Sequence, residues 1–291
     1  MHMSATFDAE PVVFAGAGGP LAGDRWGSGG DRGPVLMLHG GGQTRHSWDR
    51  AARSLATEGW DVVTLDARGH GESAWAPDGD YAVEALVEDL LLVRDQLAES
   101  SPMLPVIIGA SMGGMTAMVA EGEIGGVARA LVLVDIVPRI ELDGVEKIGD
   151  FMSSAPTGFE SLDEVADAVA AYQPHRERPS NIEGLRRNVR LAEDGRLYWH
   201  WDPAFMRIGE GLDVDHDAHH LRLADAARRI VVPTLLVRGM LSDIVSAAGA
   251  AELLELIPGA TAIDVAGAGH MVAGDDNAIF VDHTTAFLRS L

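Results

Sequence analysis

Ser111 stands in Gly109-Ala110-Ser111-Met112-Gly113. The apolar run Val106-Ile107-Ile108 enters this stretch, and Gly114 with the helix-prone run Met115 to Ala120 leaves it. The order predicts a strand, a sharp turn and a helix, with a serine held at the apex. Such a turn strains the backbone and brings strand against helix, so small residues are needed on either side. Serine is a poor nucleophile at neutral pH. It needs a base within hydrogen-bond reach and a carboxylate to orient that base.

Two later strand ends offer both groups. Val237-Arg238-Gly239-Met240-Leu241-Ser242-Asp243 puts Asp243 in a loop after a strand, and Val265-Ala266-Gly267-Ala268-Gly269-His270 does the same for His270. Parallel strands would deliver Ser111, Asp243 and His270 to one edge of a sheet, where α/β folds bind ligands. They are read as nucleophile, orienting acid and base. Asp135, which ends the apolar run Ala130 to Val134, is the rival for the acid. Acyl transfer also requires preset donors for an oxyanion. The N–H of Met112 is one candidate. The other is Gly41 in His39-Gly40-Gly41-Gly42, with Gly40 and Gly42 lining the substrate beside it. No Lys-Ser or Lys-Thr follows these glycines, so the phosphate-cradle pattern is absent.

The elements that must position these groups alternate. Residues 11–26 read as a hairpin, 34–38, 60–65, 106–108 and 130–134 as strands, and 44–57 and 81–98 as helices. From residue 136 the rhythm stops, and a polar, aromatic, partly helical segment runs to 229. Alternation resumes with strands at 232–238 and 261–265 and helices at 247–256 and 276–290. This is an α/β chain with a mostly parallel sheet covered on both faces. Residues 1–135 and 230–291 form the core, and 136–229 an inserted, mainly helical cap.

The residues quoted resemble the α/β-hydrolase superfamily, in the serine branch with cofactor-free haloperoxidases or perhydrolases, esterases, lactonases and epoxide-hydrolase-like proteins. Trp48, nine positions after His39, and Asp66-Ala67-Arg68-Gly69-His70-Gly71-Glu72-Ser73 add to the likeness. The resemblance implies that His70 is a scaffold residue beside the site. Relatives that open epoxides or displace halide attack with aspartate at the elbow. Serine at 111 points to acyl carbon instead, because a serine alkyl ether would not hydrolyse.

In the cap, Leu197-Tyr198-Trp199-His200-Trp201-Asp202-Pro203 concentrates aromatic residues in a chain with only 5% of them. Tyr198, Trp199 and Trp201 are expected either to line an apolar substrate or to form a cap mini-core. Asp215-His216-Asp217-Ala218-His219-His220 reads as a solvated helix start, and neither metal nor cofactor is expected, since serine chemistry needs none.

Composition narrows the partners. A formal net charge of −22 repels nucleic acid. No apolar run approaches a membrane span. The N-terminus lacks the pattern of a signal peptide, and the absence of cysteine fits a reducing cytoplasm, the expected location. The expected function is a serine hydrolase of a small hydrophobic ester or lactone, acting through an acyl-enzyme. C–C bond hydrolysis of ring-cleavage products, perhydrolysis and a non-catalytic ligand receptor are the alternatives, and homo-oligomerisation stays open.

Overall fold

A computed structural model describes residues 8–27, 29–178, 182–207, 216–272 and 277–291. Its centre is an eight-stranded sheet. The strands are β1 (Glu10–Gly16), β2 (Gly19–Trp26), β3 (Pro34–Leu38), β4 (Asp61–Leu65), β5 (Val106–Ala110), β6 (Ala130–Val134), β9 (Thr234–Gly239) and β10 (Ala260–Val265), in the order β1-β2-β4-β3-β5-β6-β9-β10. β1 and β2 are antiparallel to their neighbours, and every other pairing is parallel.

The central strands β3, β4, β5 and β6 are buried along their whole length, as a sheet covered on both faces requires. On one face α2 (Val83–Ala98) and α3 (Met112–Glu123) pack over Leu36, Val63, Ile107, Leu131 and Leu236. On the other, α1 (Asp49–Thr57) and the C-terminal α8 (Asn277–Arg289) cover Val35, Val62, Ile108, Val132 and Val237, with Trp48 against Phe280. α7 (Ala247–Leu256) connects β9 to β10 and joins the first of these layers through Leu253.

The segment between β6 and β9 is less uniform than its sequence suggests. α4 (Leu142–Met152) and α5 (Leu162–Tyr172) are followed by a two-stranded antiparallel hairpin, β7 (Val189–Leu191) with β8 (Leu197–Trp199). These strands of three residues are too short to show alternation in a sequence. α6 (His216–Arg229) is a layer helix rather than part of the cap. A Cβ on Gly122 of α3 would lie 2.2 Å from the carbonyl oxygen of Ala226, so the two helices touch backbone to backbone, and Leu223 and Ala227 enter the core. The cap proper has its own small core of Met152, Phe159, Val165, Trp199 and Trp201. No helix among the described residues is long and apolar enough to cross a membrane.

Candidate active site

β3, β5, β6, β9 and β10 all run the same way, so the loops after them meet along one edge of the sheet. At the end of β5 the chain turns through Ser111, at φ 46° and ψ −113°, directly into α3. The turn is as tight as the glycines imply. A Cβ on Gly109 would lie 2.5 Å from the Gly113 carbonyl oxygen, and one on Gly113 would lie 2.5 Å from that of Leu38. The Ser111 N–H donates to the Val134 carbonyl at 3.0 Å, which fixes the turn to the neighbouring strand β6.

Asp135 follows immediately on β6, also with positive φ (50°), and its side chain is fully buried. His270 Nδ1 donates to Asp135 Oδ2 at 2.7 Å. The Gly239 N–H donates to Oδ1 at 2.9 Å, and the Ser242 hydroxyl donates to Oδ2 at 2.5 Å. With its Nδ1 proton committed to a carboxylate, the imidazole leaves Nε2 as the basic nitrogen.

The structure therefore seats His270 on Asp135 and not on Asp243. β6 is the direct neighbour of β5, whereas the loop after β9 curls back on itself. Its Met240 and Leu241 N–H groups donate to Val265 and Ala268 carbonyls, which turns Ser242 inward. Asp243, next along, faces outward and pairs with Lys147 Nζ at 2.9 Å, with 43% of its side chain exposed. Ser242, which sequence reasoning passed over, occupies the place beside the acid. Its oxygen also accepts from the N–H groups of Ile244 and Val245, both at 3.1 Å, so its own proton is directed at Asp135.

The loop after β3 comes over the elbow. A Cβ on Gly40 would lie 3.2 Å from Ser111 Cβ. The Gly40 N–H is held by Gln43 Oε1 at 2.8 Å, and the Gly42 N–H by His70 Nε2 at 3.2 Å. Gly41 lies between these two anchored amides, and Met112 opens α3, where the first N–H groups have no intrahelical partner. Gln43 Nε2 reaches Met271 Sδ at 2.9 Å, which ties the loop to the residue after His270. Gly40 and Gly42 thus shape the loop through their own bonds.

A row of buried imidazoles supports the loop. His39, His70 and His200 stand with ring centres 5.2 Å and 5.8 Å apart. His39 Nε2 accepts from the Ala67 N–H, and His200 Nδ1 accepts from the Gly71 N–H at 2.8 Å. These bonds require unprotonated acceptor nitrogens. Burial keeps all three below the usual histidine range, with His70 well below it and His200 at about 4. His200 belongs to the cap, so its bond to Gly71 fastens cap to core. Asp202 adds two more ties, its N–H to the Gly69 carbonyl at 2.8 Å and its carboxylate to the Tyr81 hydroxyl at 2.5 Å.

The aromatic run in the cap is distributed otherwise than expected. Successive residues of a strand face opposite sides. Trp199 turns inward, stacked on Trp201 at 5.0 Å and edge-on to Phe159, so both tryptophans build the cap core. Tyr198 faces outward, with its hydroxyl on Asp194 and Arg190 over its ring. Met152 and Phe205 approach the loop after β3. A Cβ on Gly41 would lie 3.7 Å from Met152 Sδ and 3.8 Å from the Phe205 ring. Neither carries a sequence signal beyond being apolar. His220, in the histidine-rich start of α6, pairs with Glu252 at 2.8 Å.

Fold and motif order define a class, and a family model for the alpha/beta hydrolase fold matches residues 33–276, so the chain belongs to that family. Among relatives, it is 32% identical over 250 residues to esterase Rv0045c of Mycobacterium tuberculosis, covering 84% of this chain and 77% of that one. A solved structure of that esterase superposes with a TM-score of 0.76 at 27% identity, over 99% of this chain and 93% of the other. The sn-1-specific diacylglycerol lipase ABHD11 of Mus musculus is 31% identical over 265 residues, 87% of this chain and 80% of its own. The 2-(acetamidomethylene)succinate hydrolase of Mesorhizobium japonicum is 26% identical over 242 residues, 82% of each chain.

Proposed function

We propose that this protein is a serine hydrolase that cleaves a carboxylic ester or lactone of an uncharged, apolar small molecule. The observation that supports the reading is the His270–Asp135 bond at the strand end next to Ser111, because it orients an imidazole at the same sheet edge as the elbow serine. Ser111 Oγ attacks the carbonyl carbon as its proton passes to His270 Nε2. The oxyanion forms against the Gly41 and Met112 N–H groups. His270 then protonates the leaving alcohol, and Asp135 stabilises the imidazolium in between. Water gives a proton to His270 as its oxygen attacks the acyl carbon; the acyl–Oγ bond then breaks as His270 returns that proton to Ser111 Oγ, which frees the acid and restores the serine.

The side chains over the oxyanion loop bear on the substrate. Met152 and Phe205 are apolar, so they favour an uncharged chain or ring. Three cap arginines that could meet a carboxylate are engaged elsewhere. Arg186 pairs with Glu183, Arg187 with Asp49, and Arg190 lies over the Trp75 and Tyr198 rings. This favours an apolar ester over the anionic products of ring cleavage, and over the succinate named for the Mesorhizobium relative.

A panel of p-nitrophenyl esters from acetate to octanoate tests the reading, with Ser111→Ala as control. Turnover that the substitution removes, and covalent labelling of Ser111 by a fluorophosphonate, are expected. Equal release by both proteins would overturn it.

A further inference from the structure

A second constellation lies beyond the catalytic edge, at the junction of β2, the turn after the oxyanion loop and the start of α1. Asp24 is buried in β2, His46 sits in the single-turn helix Arg45–Trp48, and Asp49 begins α1. Each offers one ligand atom, and the three atoms lie within 4.8 Å of one another. His46 Nδ1 is 3.3 Å from Asp49 Oδ1 and 3.8 Å from Asp24 Oδ2. Ligand atoms about 2.1 Å from a tetrahedral ion stand about 3.4 Å apart, so the separation of His46 from Asp49 already matches one edge of such a shell and that of His46 from Asp24 lies close to a second.

Both carboxylates are fixed in place. Arg45 Nε donates to Asp24 Oδ2 at 2.9 Å, the oxygen that faces His46, and Arg187 from the cap donates to Asp49 Oδ2 at 2.8 Å, leaving Asp49 Oδ1 turned toward His46. Such outer partners fix the orientation of metal-ligating carboxylates. The charges are unbalanced in the same place. Arg45 also pairs with Asp66 and Glu72, so these two guanidiniums face four carboxylates. A divalent ion would neutralise the excess. His46 and Asp49 each keep about a quarter of their side chain exposed, which leaves an entry and an open coordination position.

We propose that Asp24, His46 and Asp49 bind one divalent transition-metal ion of the zinc type. One imidazole and two carboxylates suit zinc, whereas magnesium favours an all-oxygen octahedral shell. The site lies outside the serine machinery and stands independently of the proposed reaction.

Zinc chloride titrated into the chelator-treated full chain, followed by calorimetry and thermal unfolding, tests this. The expected result is one tight zinc per chain with a melting temperature raised by several degrees, and no rise with magnesium chloride. His46→Ala and Asp49→Asn should each weaken zinc binding at least tenfold while keeping the wild-type melting temperature in chelator to within a few degrees. A His216→Ala/His220→Ala variant should retain it. No tight zinc in the wild type, unchanged affinity in His46→Ala and Asp49→Asn, or loss of binding in the α6 variant would overturn the proposal.

Discussion

Ser111 and Asp135 end adjacent parallel strands at the same level of the sheet, and both hold a left-handed backbone, with φ of 46° and 50°. Among described non-glycine residues only Ala155 shares that feature. Backbone of this kind costs about 1–3 kcal/mol per residue and persists where the surroundings enforce it. Here the enforcing contacts are the ladder bonds of Ser111 to Val134 and of Asp135 to Val237.

The strain at the elbow should be measurable. Ser111→Gly removes the Cβ that makes the conformation costly, and is expected to raise stability by about 1 kcal/mol after the entropy of the added glycine is counted. Esterase activity should vanish in the same variant. Denaturant unfolding checks the first outcome, and ester turnover the second.

In the proposed reaction Ser242 acts through Asp135, as a positioning residue. With its oxygen accepting from two backbone N–H groups, its proton is directed to the carboxylate that holds His270. In Ser242→Ala the carboxylate loses a donor and holds His270 less firmly, so kcat should fall about tenfold with KM within about twofold. Ser242→Thr, which keeps the hydroxyl, should restore most of the loss. A fall that Ser242→Thr does not restore would reduce Ser242 to a packing role.

The buried imidazoles make stability fall in acid. His200 titrates near 4 when folded, because burial and His39 oppose its cation, and near 6.5 when unfolded. Between those values the unfolded chain binds more protons, so stability is fully present above about pH 6.5 and is lost as pH falls toward 4. From pH 7.5 to 5 this one group should account for a loss on the order of 2 kcal/mol. His200→Gln, whose carbonyl can still accept from the Gly71 N–H, should flatten that part of the profile in urea melts at the two pH values.

Much of this was legible beforehand, and the limits have physical causes. The sharp turn at Ser111 and the loop position of His270 after a strand are local patterns that follow from their own neighbours. The choice between Asp135 and Asp243 is not local. Both end strands, and what separates them is which strand lies beside β5 and how the 240–245 loop curls, neither of which is written in a short stretch of residues. Likewise the three-residue strand that puts Tyr198 and Trp199 on opposite faces, and the approach of Gly122 to Ala226 that packs α6 on α3, carry no pattern of their own in the sequence.

Substrate preference should follow Phe205 rather than Tyr198. Phe205→Ala is expected to lower kcat/KM for p-nitrophenyl octanoate about tenfold relative to acetate, the scale of one lost apolar contact of 1–3 kcal/mol. Tyr198→Ala should leave that ratio within about twofold. The two chain lengths assayed side by side give the ratio directly.

The identity of the acid is the most direct test of the whole arrangement. Asparagine at 135 tolerates the left-handed backbone but removes the charge that fixes the His270 tautomer, so Asp135→Asn should lower kcat about 10³–10⁴-fold. Asp243→Asn only frees an exposed lysine, and kcat should stay within about twofold. If instead Asp243→Asn abolished turnover of the best ester while Asp135→Asn kept it, the triad of Ser111, His270 and Asp135 would be contradicted.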